Sequence, residues 1–319
     1  MAAQRRPERP EDDDELDPVA EEASEAFGAR DREGTGRSIT DPYAVLSGEP
    51  QVPPEKLMAD GNLAEALEQY RAAVRAERSA GNDDTDARVN LGDAYAYSGQ
   101  GLNAYRQYRR AIRNSPRRAE PHFSLGELYL RYGRLQSAIA ELRKAVRLAP
   151  SNAYYRYKLG DALAFAGDME AAVSELEETT HLRPQDGFYH FWLGDLYARC
   201  DRYPEAVREM QQAAMFSPLD AYYNVRLGAL YRRMGNLKDA AIAVRQSVVL
   251  APENAAYHCL LADLYSELRM DKHAMHHYQR AGILDDYDLE QLQRLRKHAG
   301  VADEEDVDYE ALEAAPDPE

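Results

Sequence analysis

Residues 153–186 read AYYRYKLGDALAFAGDMEAAVSELEETTHLRPQD, and this 34-residue pattern returns along most of the chain. A leucine followed by a glycine at its seventh and eighth positions recurs with the same period between residues 85 and 288. Five of the six nodes keep the glycine: Gly92, Gly126, Gly160, Gly194 and Gly228. A fixed period of this length predicts a stack of similar structural units.

Each unit has the composition of a helix pair. Apolar residues at i, i+3, i+4 and i+7 mark a first helix, as at Leu159, Ala162, Leu163 and Ala166. An alanine stands twelve residues after every node. A turn follows the first helix at Gly99, Gly133, Gly167 and Gly235, and a proline closes five units, at Pro116, Pro150, Pro184, Pro218 and Pro252. The small residues at positions 8 and 20 predict that the two helices of a unit cross closely there.

These positions resemble the tetratricopeptide repeat family, through L-G-x-x-Y, A-x-x-x-(aromatic or aliphatic)-x-x-A and the closing proline. The resemblance covers six units without an insertion between residues 85 and 288. It implies an all-α fold, a right-handed superhelical solenoid of antiparallel helix pairs. In such a fold the first helices line a concave groove.

The pattern predicts five segments. We expect a disordered acidic tail (1–54), a degenerate capping repeat (55–84), six regular repeats (85–118, 119–152, 153–186, 187–220, 221–254 and 255–288), a C-terminal capping helix (289–300) and a second disordered acidic tail (301–319). The first repeat is degenerate because Pro53 and Pro54 stand where leucine and glycine belong. The tails are predicted to be disordered because such polar segments cannot offset their ordering entropy.

Composition narrows the function. The net charge of -17 belongs to the tails, because residues 1–54 carry 14 acids against six Arg and residues 301–319 carry nine acids and no base. The body between them is neutral overall, which predicts no nucleic-acid binding. The sequence contains no apolar run long enough to span a membrane. Two cysteines in different units and an acidic start without a signal peptide favour a cytoplasmic protein.

Carrying the groove positions of the family over to this chain predicts a peptide-binding surface. Positions 2 and 5 supply an aromatic floor, position 9 a row of carboxylates, and position 13 an edge of arginines. The predicted groove residues are Phe123, Glu127, Arg131, Tyr154, Tyr157, Asp161, Phe188, Phe191, Asp195, Arg199, Tyr222 and Arg233. The alternative for the aromatic residues, above all Tyr155, Tyr189, Tyr223 and Tyr257 at position 3, is that they only pack units together.

Such a surface favours a non-catalytic interaction scaffold that binds a protein or peptide with apolar and basic residues. The alternative is a structural or assembly subunit of a larger complex that reads no peptide. No phosphate-binding loop or catalytic constellation is recognisable, so we predict no enzyme activity and no cofactor. A chaperone C-terminal tail is disfavoured, because position 9 is acidic and would repel its carboxylates. Apolar residues near Tyr43 and Leu46 could instead occupy the groove in cis.

Histidines raise the question of a metal site. His273 and His277 share a helix face at i, i+4, but two ligands do not complete a zinc site. We therefore predict no metal and place His273, His276 and His277 on a solvated outer face. The sequence offers no explanation for position 4, where His122, His190 and His258 alternate with Arg88, Arg156 and Asn224.

Overall fold

The computed structural model describes residues 54–284, and they fold into 14 α-helices without a strand. The chain divides into two compact units, residues 1–150 and 151–319. The predicted capping helix 289–300, the acidic tail 301–319 and nearly all of the N-terminal tail lie outside the described residues.

The described part of the first unit contains six helices. They are α1 (Pro54–Ala59), α2 (Leu63–Ala80), α3 (Thr85–Tyr97), α4 (Gly101–Asn114), α5 (Ala119–Arg131) and α6 (Leu135–Leu148). Helix α1 has only six residues, so the first helix of this pair is short, as the two prolines predict. The core of the unit is built from leucines and tyrosines of α2 to α5, including Tyr70, Leu91, Tyr108 and Leu125.

The described part of the second unit contains eight helices. They are α7 (Ala153–Phe165), α8 (Met169–Leu182), α9 (Gly187–Arg199), α10 (Tyr203–Phe216), α11 (Ala221–Arg233), α12 (Leu237–Leu250), α13 (Ala255–Glu267) and α14 (Asp271–Leu284). From α3 onward, all first helices have one common length and all second helices are one residue longer. Both kinds of helix recur with the period of the sequence repeat, so the helices follow the lattice read from the sequence.

The two helices of a pair cross at the glycine nodes. A Cβ added at Gly126, Gly160, Gly194 or Gly228 would lie 3.1–3.4 Å from the carbonyl oxygen of the alanine twelve residues later. These alanines are fully buried. The predicted crossing at positions 8 and 20 is therefore confirmed, and the alanine carbonyl together with a side chain of the second helix limits the space at the glycine.

In the six regular pairs, four of the turns use glycine in the left-handed region, with φ between 76° and 86° at Gly99, Gly133, Gly167 and Gly235. Asp201 and Arg269 adopt the same conformation in the other two pairs, with φ of 58° and 62°. A residue with a Cβ is strained there, which is why glycine dominates this position.

Five of the six polar residues at position 4 contact the second helix of their own pair. Their partner lies 19 residues later, which makes the pairs Arg88–Gln107 (3.3 Å), His122–Glu141 (2.6 Å), Arg156–Glu175 (2.8 Å), His190–Glu209 (2.7 Å) and His258–His277 (2.9 Å). Position 4 is therefore a polar contact within each of these helix pairs. The sequence contains the signal, because a glutamate recurs at the partner position in three consecutive repeats.

The expectation that His277 lies on a solvated outer face is wrong, because His277 packs between the two helices of the last pair. Its Nδ1 lies 2.9 Å from Nδ1 of His258, and its ring stacks on Tyr265 at 5.7 Å. The Nε2–H of His258 donates to the carbonyl oxygen of Pro252 at 3.1 Å, so its Nδ1 accepts a hydrogen bond from His277. Burial, with smaller effects of His276, His258 and His273, lowers the pKa of His277 to about 3.

His190 has the opposite electrostatics. Burial favours its neutral form, but the hydrogen bond to Glu209 and the one to the carbonyl of Pro184 outweigh burial and raise its pKa. Its folded-state pKa lies above the unfolded value, so its stabilisation is present below that value and is lost as the pH rises. The two histidines therefore respond to pH with opposite signs.

The crossing predicts different costs for the same substitution at two nodes of the second unit. A Cβ at Gly228 would lie 2.5 Å from Cγ2 of the buried Val244, whereas the closest atom at Gly160 is Cγ of Leu176 at 3.2 Å. Gly228→Ala should destabilise by about 1–3 kcal/mol, because a β-branched side chain cannot yield easily. Gly160→Ala should change stability by less than about 1 kcal/mol, since helix propensity offsets the tight contact. Urea denaturation of both variants checks this, and equal costs would contradict the assigned contacts.

Acidification should loosen the last helix pair first. The folded-state pKa of His277 is depressed to about 3, so its neutral form contributes stability above the ordinary value of 6.5. That contribution is lost as the pH falls below 6.5 towards the folded-state pKa, because the unfolded chain binds the proton first. Hydrogen exchange at pH 7 and pH 5 should show protection lost in α13 and α14 and kept in α9 and α10.

The matched variant is His277→Gln, whose amide can still donate to Nδ1 of His258. It should remove most of the pH dependence of exchange in α14. An unchanged pH dependence in this variant would mean that another group controls the last pair.

Candidate functional site

Three aromatic side chains stand at position 2 of successive repeats in the second unit. Tyr154 is 45% exposed, Phe188 41% and Tyr222 45%. They occupy the first turns of α7, α9 and α11. The residue two positions before each ring caps the helix, because the side chains of Asn152, Asp186 and Asp220 accept backbone N–H groups of the first turn.

The aromatic residues at position 5 lie beneath these rings. Tyr157 and Phe191 are each only 8% exposed, so the expected floor of positions 2 and 5 divides into an exposed layer and a buried layer. Position 3 belongs to the buried layer as well. Tyr189 and Tyr223 are buried, and Tyr223 stacks on Phe191 with ring centroids 4.9 Å apart, which confirms a packing role for position 3 in these repeats.

The exposed and buried rings are in continuous contact. The centroid distances are 6.2 Å for Tyr154–Tyr157, 5.1 Å for Tyr157–Phe188, 6.2 Å for Phe188–Trp192, 5.6 Å for Trp192–Phe191 and 5.6 Å for Phe191–Tyr222. We call these six residues the aromatic array. Tilted and edge-on ring contacts of this kind favour a rigid arrangement.

Trp192 was missed by the sequence-based selection of groove residues. It lies at position 6, where neighbouring repeats carry Lys158 and Arg226, so the lattice showed no aromatic pattern there. It is the only tryptophan of the chain, which is a signal that composition alone provides. Its indole Nε1 is buried and has no hydrogen-bond partner among residues 54–284.

The predicted row of carboxylates is largely engaged within the fold. Asp195 pairs with Arg226 of the next repeat. Asp93 accepts the hydroxyl proton of Tyr108 at 2.6 Å, and Asp263 accepts that of Tyr278. Asp161 differs, since it is exposed and pairs with no described residue. Most carboxylates of position 9 therefore bond to other side chains of the fold and do not form a row of unpaired acids.

Cations flank the aromatic array. The guanidinium of Arg226 lies 5.9 Å from the ring centroid of Tyr222 and 6.0 Å from that of Phe191, while Nζ of Lys158 lies 5.7 Å from that of Tyr154. Arg226 holds both an ion pair and two cation–π contacts, so its side chain is strongly positioned. Among the described residues no cluster of three or more His, Cys, Asp or Glu could hold a metal ion.

The profile of the cilia and flagella-associated protein 70 C-terminal domain, a tetratricopeptide repeat (TPR) domain, matches residues 58–297. The chain belongs to this family. No curated protein matches its sequence significantly.

Solved structures similar to this TPR domain share only its fold. PilF of Pseudomonas aeruginosa is 19% identical with a TM-score of 0.51, over 67% of this chain and 97% of that one. YrrB, described as a TPR protein with an unusual peptide-binding site, is 18% identical with a TM-score of 0.49, over 61% of this chain and 98% of that one. MamA of Desulfovibrio magneticus RS-1 is 24% identical with a TM-score of 0.48, over 54% of this chain and 97% of that one.

The predicted site residues of this TPR domain fall into both compact units. Phe123, Glu127 and Arg131 belong to the first unit, and the other nine belong to the second. The two groups are therefore described separately. Phe123 and Glu127 are partly buried, and Arg131 is exposed. Among residues 54–284, no helix is long and apolar enough to cross a membrane.

The arginines at position 13 tie successive repeats of the TPR domain together. Arg131 donates to the carbonyl oxygen of Ala96, and Arg199 donates to that of Ala164 at 3.4 Å. These carbonyls lie in the last turn of the preceding first helix, where a cation is favourable. Arg233 instead lies 3.9 Å from Asp201 and over the ring of Tyr203 at 5.2 Å.

The Arg226–Asp195 pair of this domain should contribute modestly to stability. Both side chains are partly exposed, so we expect a coupling of about 0.5–1 kcal/mol in a double-mutant cycle of Arg226→Gln and Asp195→Asn. Chemical denaturation of the two single variants and the double variant measures it. A coupling near zero would mean that Asp195 remains available to a ligand.

Proposed function

We propose that this chain is a non-catalytic protein-interaction scaffold whose second unit binds an apolar peptide segment across the aromatic array. The TPR fold supports interaction scaffolds in general. The observation that carries the more specific proposal is the repetition of half-exposed rings at Tyr154, Phe188 and Tyr222, on a buried aromatic layer that connects them.

The energetics favour a ligand with apolar anchors. Soluble proteins rarely leave neighbouring large aromatic side chains half-exposed without a partner. Tyr and Phe bury much area on binding and lose little rotamer entropy, which is why they concentrate binding energy at interfaces. The buried rings of Tyr157 and Phe191 hold the exposed ones in place before a ligand arrives, which lowers the ordering cost of binding.

The charges refine the preferred ligand. Asp195 is neutralised by Arg226, so the second unit offers Asp161 as the exposed carboxylate of position 9. It lies one helical turn after Tyr157 on the same face of α7. A basic side chain next to the apolar anchors of the ligand would pair with it. We therefore propose one Lys or Arg beside the anchors rather than a basic run.

Trp192 makes the proposal directly measurable. It is the only tryptophan of the chain and contacts Phe188, Tyr157 and Phe191, so its fluorescence reports on the aromatic array alone. The full-length protein is used to select from a phage library of random 12-residue peptides. The selected peptides are then titrated while the emission of Trp192 is recorded.

We expect selected peptides with aromatic or aliphatic residues and a Lys or Arg, and a shifted Trp192 emission on binding. Phe188→Ala should weaken binding at least tenfold, and Asp161→Lys should weaken only the peptides that carry the basic residue. The matched control is Met215→Ala, a large apolar residue on the second helix α10 that is 59% exposed and lies outside the array and the groove positions. Equal losses for Phe188→Ala and Met215→Ala, or no selection of peptides, would contradict the proposal. The assembly-subunit alternative instead predicts co-purification in fixed stoichiometry without peptide binding.

A further inference from the structure

The second helices of the first unit carry a concentrated positive charge. Residues 101–150 contain 11 Lys and Arg against three Asp and Glu, although the repeats as a whole are neutral. Eight of the arginines are exposed, of which Arg118 pairs with Asp86 and Arg131 bonds the carbonyl of Ala96. The other six are Arg106, Arg110 and Arg113 on α4, Arg117 in the turn after it, and Arg143 and Arg147 on α6. We call these six the arginine face.

The members of the arginine face share one side of their helices. Arg106, Arg110 and Arg113 are spaced i, i+4 and i+7, which places them along one stripe of α4. Arg143 and Arg147 are spaced i, i+4 on α6. Arg113 and Arg147 occupy the same position of two consecutive repeats.

These arginines have no partner within the described structure. None of the six pairs with a residue of the range 54–284. Two of the neighbouring acids are engaged elsewhere. Glu141 is buried and bonded to His122 and Lys144, and Arg118 takes up Asp86 at 2.7 Å. Six unpaired like charges repel one another, and no described residue neutralises them. Binding of an anionic ligand would reduce this electrostatic repulsion.

The repeat does not require this charge. In the second unit the position of Arg113 and Arg147 is taken by His181, Met215, Val249 and Ile283. The helices of that unit have the same lengths and the same glycine crossing. The arginine face is therefore a property of the first two regular repeats and not of the architecture.

The chemistry of the face favours carboxylates on a polypeptide over a nucleic acid. The guanidinium fork pairs with carboxylates and phosphates alike. Single-stranded nucleic acids also need aromatic platforms for their bases. The aromatic residues of 101–150 are Tyr105, Tyr108, Phe123, Tyr129 and Tyr132, and none of them is exposed.

The chain contains a segment with matching charge. Residues 11–25, EDDDELDPVAEEASE, hold nine Asp and Glu and no Lys or Arg. The chain between this segment and Pro54, the first residue of α1, can span up to about 90 Å. Tethering gives such a segment an effective concentration on the order of millimolar, far above that of a free competitor.

We propose that residues 11–25 of this chain bind the arginine face of the first unit. The contact is electrostatic, with carboxylates accepting hydrogen bonds from the guanidinium groups of α4 and α6. A partner protein with a more acidic or longer segment would have to displace residues 11–25, which makes the face accessible only to strong competitors. The aromatic array of the second unit plays no part in this interaction.

The test measures binding of a fluorescent synthetic peptide of residues 11–25 to the full-length chain by anisotropy. The key variant replaces the nine acids of residues 11–25 in the protein with Asn and Gln, which frees the face. We expect the peptide to bind this variant at least tenfold more tightly than the wild type. Raising NaCl from 50 to 300 mM should abolish the difference, because exposed charges are screened.

Two charge-reversal variants in the neutralised background locate the site. Arg106→Glu, Arg110→Glu and Arg113→Glu together should abolish peptide binding. The control is Arg208→Glu, Lys272→Glu and Arg280→Glu, which changes three exposed bases on second helices of the second unit by the same charge and should retain binding.

Three results would overturn the proposal. The first is equal affinity of the peptide for the wild type and the neutralised variant. The second is an equal loss in both charge-reversal variants. The third is tighter binding of a labelled 15-nucleotide oligothymidylate than of the peptide, lost in the arginine variant, which would reassign the face to nucleic acid.

Discussion

The structure depends on the close approach of two helix backbones within each repeat. At four nodes a Cβ on the glycine would lie only 3.1–3.4 Å from the carbonyl oxygen of a fully buried alanine on the second helix. The same backbone contact therefore limits the helix separation at each of these nodes. Residues on the lattice can then vary widely while helix lengths and period stay constant.

That tolerance explains how one architecture carries three chemically different surfaces. The first helices of the second unit present half-exposed rings at Tyr154, Phe188 and Tyr222. The second helices of the first unit present arginines, and the equivalent position of the second unit changes to mostly apolar residues. None of these surfaces is required by the crossing, so each can be altered without a cost to the repeat.

Contacts between repeats determine which polar groups remain available to a ligand. Asp195 and Arg226 stand on successive first helices and neutralise one another, while the arginines at position 13 bond the carbonyls of the preceding helix. Groups that look like a binding row in the sequence are thereby used to hold neighbouring repeats together. Polar groups are also used within a pair. The hydrogen bond to Glu209 raises the pKa of His190, which stands at position 4, and burial lowers the pKa of His277, the partner of His258 at position 4.

The sequence by itself determined the helix pairs, their period, the crossing at positions 8 and 20 and the four glycine turns, because each depends on residues close together along the chain. It also named the exposed rings of the array. Only the tertiary structure decided that Tyr157 and Phe191 lie beneath them, that Trp192 joins them and that Asp195 is already paired. Those outcomes depend on which side chain the next repeat brings into contact, and a repeat lattice gives equivalent positions without saying how deeply each is buried.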